Sequence, residues 1–157
     1  MFWGALRPLL SENAEALERL DSIREGFTTV MNLKMEDMWT KKLGLVSYDA
    51  TLVNEMLKLM VQTKVDYTIF FRKLSNIPIE LTDLKDSFYL PISEQIETKW
   101  IGWLQRWREE LKKRNCDSSE ISAEMKLINP KYTWREWLIA PAYEKAEQGD
   151  YLSLIHI

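Results

Sequence analysis

"EQIETKWIGWLQRWREELKKRN", Glu94 to Asn115, is the stretch whose reading decides the fold class. Its apolar residues Ile96, Trp100, Trp103, Leu104, Trp107 and Leu111 recur at spacings of three and four, which lines them along one face of an α-helix. Ser93 stands where an N-cap is expected. Lys112, Lys113 and Arg114 gather where the negative end of the helix dipole favours cations.

The same period extends toward the N-terminus. Asp49 is a good cap for "ATLVNEMLKLMVQ", whose stripe is Leu52, Val53, Met56, Leu59 and Met60. Thr63, with Asp66 three residues later, reads as a box-like cap for a helix through "KVDYTIFFRKLSNI". Earlier still, Ser11 is placed to cap "ENAEALERLDSIREGF", rich in strong helix formers. Its apolar positions Leu17, Leu20 and Phe27 continue through Val30, Met31, Met35, Met38 and Trp39. The pattern stops at Gly44, a residue suited to ending a helix. One long helix and two helices joined near Gly26 satisfy it equally.

Toward the C-terminus, Pro78 and Pro91 bracket a connector with a short helical turn expected around Leu81–Phe88. Asp117 with Glu120 can cap a helix reaching about Ile128. Pro130 then pushes Asn129 out of helical space. Thr133 and Glu136 match a capping box, so a helix is expected from Trp134, kinked at Pro141 and closed by Gly149. Trp134, Trp137, Leu138 and Pro141 fall on one stripe of that helix. Trp100, Trp103, Trp134 and Trp137 are therefore expected to anchor helix to helix, each burial being worth on the order of 4–6 kcal/mol before entropy. The chain reads as all-α, an irregular array of about six to eight helices.

Composition narrows the functions available. With 157 residues there is length for one domain with a core. Hydrophobic residues make up 46% and charged residues 29%, an ordinary balance for a folded chain. A net charge of −3 gives no field to recruit nucleic acid or an acidic membrane. Cys116 is the only cysteine, which rules out an internal disulfide and a multi-cysteine metal site. No apolar run reaches the roughly 18 residues that span a bilayer. The five glycines are scattered, so there is no clustered loop to cradle phosphates.

Motifs with catalytic potential have plain alternatives. His156 lies beside the C-terminus, where nothing would orient it as a base or ligand. Glu15 with Glu18, Glu94 with Glu97, and Glu109 with Glu110 stand among Lys and Arg on polar faces and read as solvated. "RWREELKKR", Arg106 to Arg114, mixes basic residues with an aromatic. Glu109 and Glu110 dilute the charge, and Trp107 belongs to the apolar stripe.

Four blocks, in order, resemble the selenoprotein O family: "MWTKKLGL" (Met38–Leu45), "MLKLMVQTKVDYTIFFRKL" (Met56–Leu74), "WIGWLQRWREEL" (Trp100–Leu111) and "MKLINPKYTWREWLIAPAYEKAEQGDY" (Met125–Tyr151). In the second block Asp66, Tyr67, Thr68, Phe71, Arg72 and Leu74 match best. In the fourth, the Asn-Pro-Lys-Tyr start and the Gly-Asp-Tyr end are the most specific. The resemblance implies the helical C-terminal part of a protein-kinase-like fold. It also implies a parent that transfers AMP from ATP to Ser, Thr or Tyr hydroxyls of proteins, using Mg²⁺ or Mn²⁺.

In that family the nucleotide loop, Lys–Glu pair, catalytic Asp and metal-binding residues precede these blocks, and the redox-active Cys or selenocysteine follows them. Cys116 does not match the latter. No catalytic, cofactor-binding or metal residue is carried over, and this chain alone is expected to be inactive. The expected partners are the upstream kinase-like lobes and the parent's protein substrates, with no nucleic acid and no membrane. The expected compartment is the cytoplasm in a bacterium and the mitochondrion in a eukaryote. Residues 1–151 are read as the family's C-terminal helical region, and 152–157, "LSLIHI" to the end, as a non-native, adapter-like tail. The competing reading is a stand-alone helical module that binds a partner protein.

Overall fold

Gly44 and the residues around it show how the array is tied together. A computed structural model describes residues 4, 7–10, 13–133 and 135–152. Within them, α1 spans Ala14–Leu43, α2 Ala50–Thr63, α3 Tyr67–Leu74, α4 Glu94–Lys112, α5 Ser118–Ile128 and α6 Glu136–Glu147. Two short 3₁₀ turns, Arg7–Leu10 and Leu81–Ser87, complete the order. Among the described residues the extended backbone amounts to one isolated antiparallel bridge, Val65 with Phe88. The all-α expectation holds.

Gly44 ends α1 in the left-handed region, with φ +66°. A side chain there would meet Met125 Sδ at 2.8 Å and Ile121 Cγ2 at 3.0 Å. Glycine thus allows α5 to lie directly against the end of α1. α1 is one continuous helix through Gly26. Its start is capped by Asn13, which accepts from the Ala16 amide at 3.0 Å; Ser11, the expected cap, lies outside the described residues.

Asp49 caps α2 as expected, accepting from the Leu52 amide at 2.9 Å. Thr63 does not cap α3. It is the last residue of α2, and its hydroxyl donates back to the Leu59 carbonyl at 2.7 Å. Lys64 then turns left-handed, and Asp66 alone caps α3. The box-like reading failed because a threonine hydroxyl near a helix end is satisfied as readily by the carbonyl four residues back.

The core lies between α2, α3 and α4, with α5 and the end of α1 closing one side. Trp100, Trp103, Trp107, Phe70 and Phe71 are fully buried. Trp103 and Trp107 stack with planes 5° apart and centroids 6.1 Å apart. Their indole N–H groups find backbone acceptors: Trp103 donates to Leu52 O and Trp107 to Leu43 O, each at 2.9 Å. These two bonds explain how wide polar-edged rings sit in a dry interior.

The C-terminal helix departs from expectation. α6 begins at Glu136, after Arg135, without a side-chain cap. Trp137 is 69% exposed, and Pro141 also faces solvent. Of this helix Ala142 is buried. Trp134 lies outside the described residues, as do residues 153–157 with His156 of the tail. Trp137, left exposed among the described residues, is not the anchor expected. Leu9 is exposed, and Phe2, Trp3 and Leu6 fall outside the described residues.

Candidate functional site

Among the described residues, the carboxylates that sequence reading weighed for catalysis do not assemble. Glu15, Glu18, Glu94, Glu97 and Glu109 are exposed on their helices, and Glu110 accepts from Lys113. The basic run is neutralised locally: Arg106 pairs with Glu55 and Arg114 with Glu124. Cys116 is exposed, its thiol donating to the Arg114 carbonyl at 3.3 Å. Among the described residues no group of three His, Cys, Asp or Glu side chains is arranged to hold a metal ion.

Two polar clusters do assemble, and both join distant parts of the chain. The first centres on Asn129, which is fully buried. Its amide oxygen accepts from Lys42 Nζ at 2.9 Å. Its amide nitrogen donates to Lys42 O at 2.9 Å and to Ser75 Oγ at 3.0 Å. α1, the end of α3 and the end of α5 thus meet at one side chain. Arg72 adds a second tie by donating to Lys126 O and Asn129 O, each at 3.0 Å. These carbonyls end α5, where the helix cannot satisfy them itself.

Lys42 is the unusual member. It is only 7% exposed and has no carboxylate partner among the described residues. Its Nζ lies 4.5 Å from the Phe71 ring centre and 5.0 Å from that of Tyr67. Ring faces, an amide oxygen and the negative end of α1 hold the ammonium in place of a counter-ion. Burial still depresses its pKa below the usual lysine value. An amine with a lowered pKa can serve as a nucleophile or base. Here it is turned inward onto rings and an amide, an arrangement that joins helices and gives no room for a substrate.

The second cluster centres on Asp66, also buried. One carboxylate oxygen accepts from the Ile69 amide at 3.0 Å as the cap of α3. The other accepts from the Tyr89 hydroxyl at 2.8 Å. Arg135 grips both oxygens, at 2.7 and 3.0 Å. The Asp66 amide meanwhile donates to Ser87 O at 2.7 Å. Burial alone would raise the Asp66 carboxyl. The Ile69 amide, Arg135 and Tyr89 outweigh it and hold the group below its ordinary value. Asp66 thus connects the α2–α3 junction, the 3₁₀ connector and the approach to α6.

Sequence reading singled out Asp66, Phe71, Arg72 and the Asn129 motif as distinctive, but not Lys42 or Arg135 as their partners. A signal was present for Lys42: it lies four residues after Met38 on an otherwise apolar face. Nothing local marks Arg135, whose partner is 69 residues away in sequence.

Comparison with known proteins gives one consistent answer. The profile of the family described as protein adenylyltransferase SelO matches residues 2–157. A protein nucleotidyltransferase YdiU from Vibrio atlanticus is 36% identical over 83% of this chain and 27% of that protein. Proteins of the same name from Pseudomonas fluorescens and Xanthomonas euvesicatoria are 34% and 32% identical over 90% and 93% of this chain. The chain spans only 30% and 29% of those two relatives.

Proposed function

The chain belongs to the SelO family of protein adenylyltransferases, and on that premise we propose that it is the helical scaffold of such an enzyme, without catalytic residues of its own. In the reaction proposed for the whole protein, a Ser, Thr or Tyr hydroxyl oxygen of a protein substrate attacks the α-phosphorus of ATP. The new P–O bond forms as the bond to pyrophosphate breaks, and the hydroxyl proton is lost. ATP and the Mg²⁺ or Mn²⁺ ion belong, in this reading, to the portion of a family-length polypeptide outside these residues. The helices described here would buttress that portion and help shape the surface that meets protein substrates.

One observation carries the reading. The residues that make the sequence distinctive, Asp66, Phe71, Arg72 and Asn129, are engaged in ties between helices. Their chemistry is spent on holding the array. That is what a scaffold requires and what a catalytic site cannot spare. A second reading, a stand-alone module that binds proteins, draws on the exposed Trp137.

The test is AMP transfer. The 157-residue chain and a family-length polypeptide carrying it are incubated with α-labelled ATP, Mg²⁺ or Mn²⁺ and acceptor proteins. Label should enter protein only with the longer form. Robust transfer by the chain alone would overturn the proposal.

A further inference from the structure

The three tryptophans of α4 are all fully buried, but their indole nitrogens are not treated alike. Trp103 donates to Leu52 O and Trp107 to Leu43 O. Trp100 Nε1 has no hydrogen-bond partner among the described residues. An indole N–H withdrawn from water without an acceptor costs roughly one to two powers of ten in the folding equilibrium. The neighbours of Trp100 are rings: Phe70 with centroids 5.2 Å apart, Trp103 at 5.7 Å and Phe88 at 5.8 Å. A ring face is a poorer acceptor than a carbonyl oxygen.

Phe88 is also a wall of a cavity. The cavity, of about 500 Å³, lies between the Leu81–Ser87 turn and the start of α4. Leu81, Phe88, Leu90 and Ile92 give it apolar sides, and Glu97, one turn before Trp100, also lines it. Phe88 is half-buried and follows the 3₁₀ turn, outside any helix. It is thus shared between the cavity and Trp100, and a rotation of its side chain would join the two.

The lining narrows what can enter. The Thr82 hydroxyl is already donated to Glu80 and that of Tyr89 to Asp66. Lys85 and Glu97 line the cavity with no ion pair among the described residues, and their opposite charges offset each other. The fitting occupant is therefore neutral, apolar over most of its surface, and brings an acceptor. The rings around Trp100 favour an aromatic body, since ring pairs at such distances add to plain burial. Room is sufficient, as ligand pockets run from about 300 to 1,000 Å³.

We propose that this cavity is a binding site for a small neutral aromatic molecule carrying a carbonyl oxygen, which accepts from Trp100 Nε1–H once Phe88 turns aside. Trp100 is then a ligand-binding residue as well as a core residue. The site is independent of AMP transfer and of the scaffold reading.

Two probes of similar shape test it: acetophenone, which has the carbonyl, and ethylbenzene, which lacks it. Each is titrated into the 157-residue chain while the indole N–H signals are followed in ¹H–¹⁵N spectra. Acetophenone should move the Trp100 signal downfield, saturably, and leave that of the exposed Trp137 in place. Ethylbenzene should bind at least about tenfold more weakly, for want of the hydrogen bond. Trp100→Phe keeps a ring in the core and removes the donor, so it should bring the two affinities within about twofold of each other. Loss of packing alone would weaken both probes and keep their ratio. Leu90→Trp, at an exposed lining residue, should weaken both at least about fivefold by filling the cavity, and it keeps the test open if Trp100→Phe folds poorly.

Equal affinity for the two probes would overturn the proposal, as would the absence of saturable acetophenone binding. Binding that Leu90→Trp leaves unchanged would put the probe elsewhere and overturn it too. So would a Trp100 N–H that contacts an internal water in the free chain and keeps that water when acetophenone is added, which would make the unpaired donor a hydration site.

Discussion

α4 and α6 carry the same kind of sequence signal and end in opposite situations. α4 carries three tryptophans at helical spacing, and α6 carries one, Trp137, on an apolar stripe. In α4 the indoles of Trp100, Trp103 and Trp107 are fully buried against α2 and α3, while in α6 Trp137 stands in solvent. The difference lies in what faces them. α4 meets α2 along its length, and two of its indoles reach carbonyls at the end of α1 and in α2. α6 is held at its entry by Arg135 on Asp66, and among its described side chains Ala142 is the buried one. Periodicity identifies the apolar face of a helix; it does not say whether this chain contains the partner.

The largest expected effect tests this contrast directly. Trp103→Ala or Trp107→Ala should destabilise the chain by about 3–5 kcal/mol, through a cavity and an unpaired carbonyl. Trp137→Ala should change stability by less than about 0.5 kcal/mol. Urea unfolding of all three decides it, and a Trp137 effect comparable to the others would break the comparison.

Next in size is the Asn129 tie, which joins the well-packed side of the molecule without contributing apolar area. Asn129→Leu should cost about 3 kcal/mol, because Lys42 is left buried with no hydrogen-bond acceptor. Adding Lys42→Met should recover a substantial part of that loss, so the double-mutant cycle should show strong coupling. Additive losses would mean that the two residues do not act together. Gly44→Ala should cost about 2 kcal/mol, combining the left-handed φ with overlap against Met125. A neutral result would show that α5 can move off α1 freely.

The smallest effect sharpens the other half of the comparison, because Asp66 is what holds the approach to α6. Its carboxyl has a lowered pKa when folded. As pH falls below the ordinary value of 3.8, the unfolded chain takes up this proton before the folded one does. Stability contributed by Asp66 is therefore present above that pH and lost as pH drops through the folded value. Asp66→Asn should be less stable than the parent at neutral pH, and the gap should close under acid. Urea midpoints across pH 2–7 measure it, and a gap independent of pH would dismiss the linkage.

How much was legible in the sequence follows from range. The helices, the Asp49 cap, the 3₁₀ turn near Leu81 and the Gly44 stop depend on neighbours within a turn or two, so local chemistry reports them. The burial of Trp103 could be read because its face repeats over four turns opposite a second apolar stripe in α2. The exposure of Trp137 could not, since periodicity marks an apolar face without saying what packs on it. Thr63 was misread as part of a cap because a hydroxyl near a helix end has several equivalent local partners, and Thr133 because α6 starts two residues later, after Arg135. The two polar clusters were half legible: Asp66 and Asn129 stood out, but their partners lie 69 and 87 residues away.

The anchoring of Leu43 and Gly44 has a mechanical consequence. Both carbonyls at the root of α1 are gripped, by Trp107 at 2.9 Å and Arg114 at 3.3 Å, while α5 presses on the glycine. A thirty-residue helix is about 45 Å long. Clamped at that root, it behaves as a lever arm, and a tilt of 5° at the base would sweep its tip by about 4 Å. A small repacking around Trp107 would therefore be felt as a large displacement by whatever rests against the distal turns.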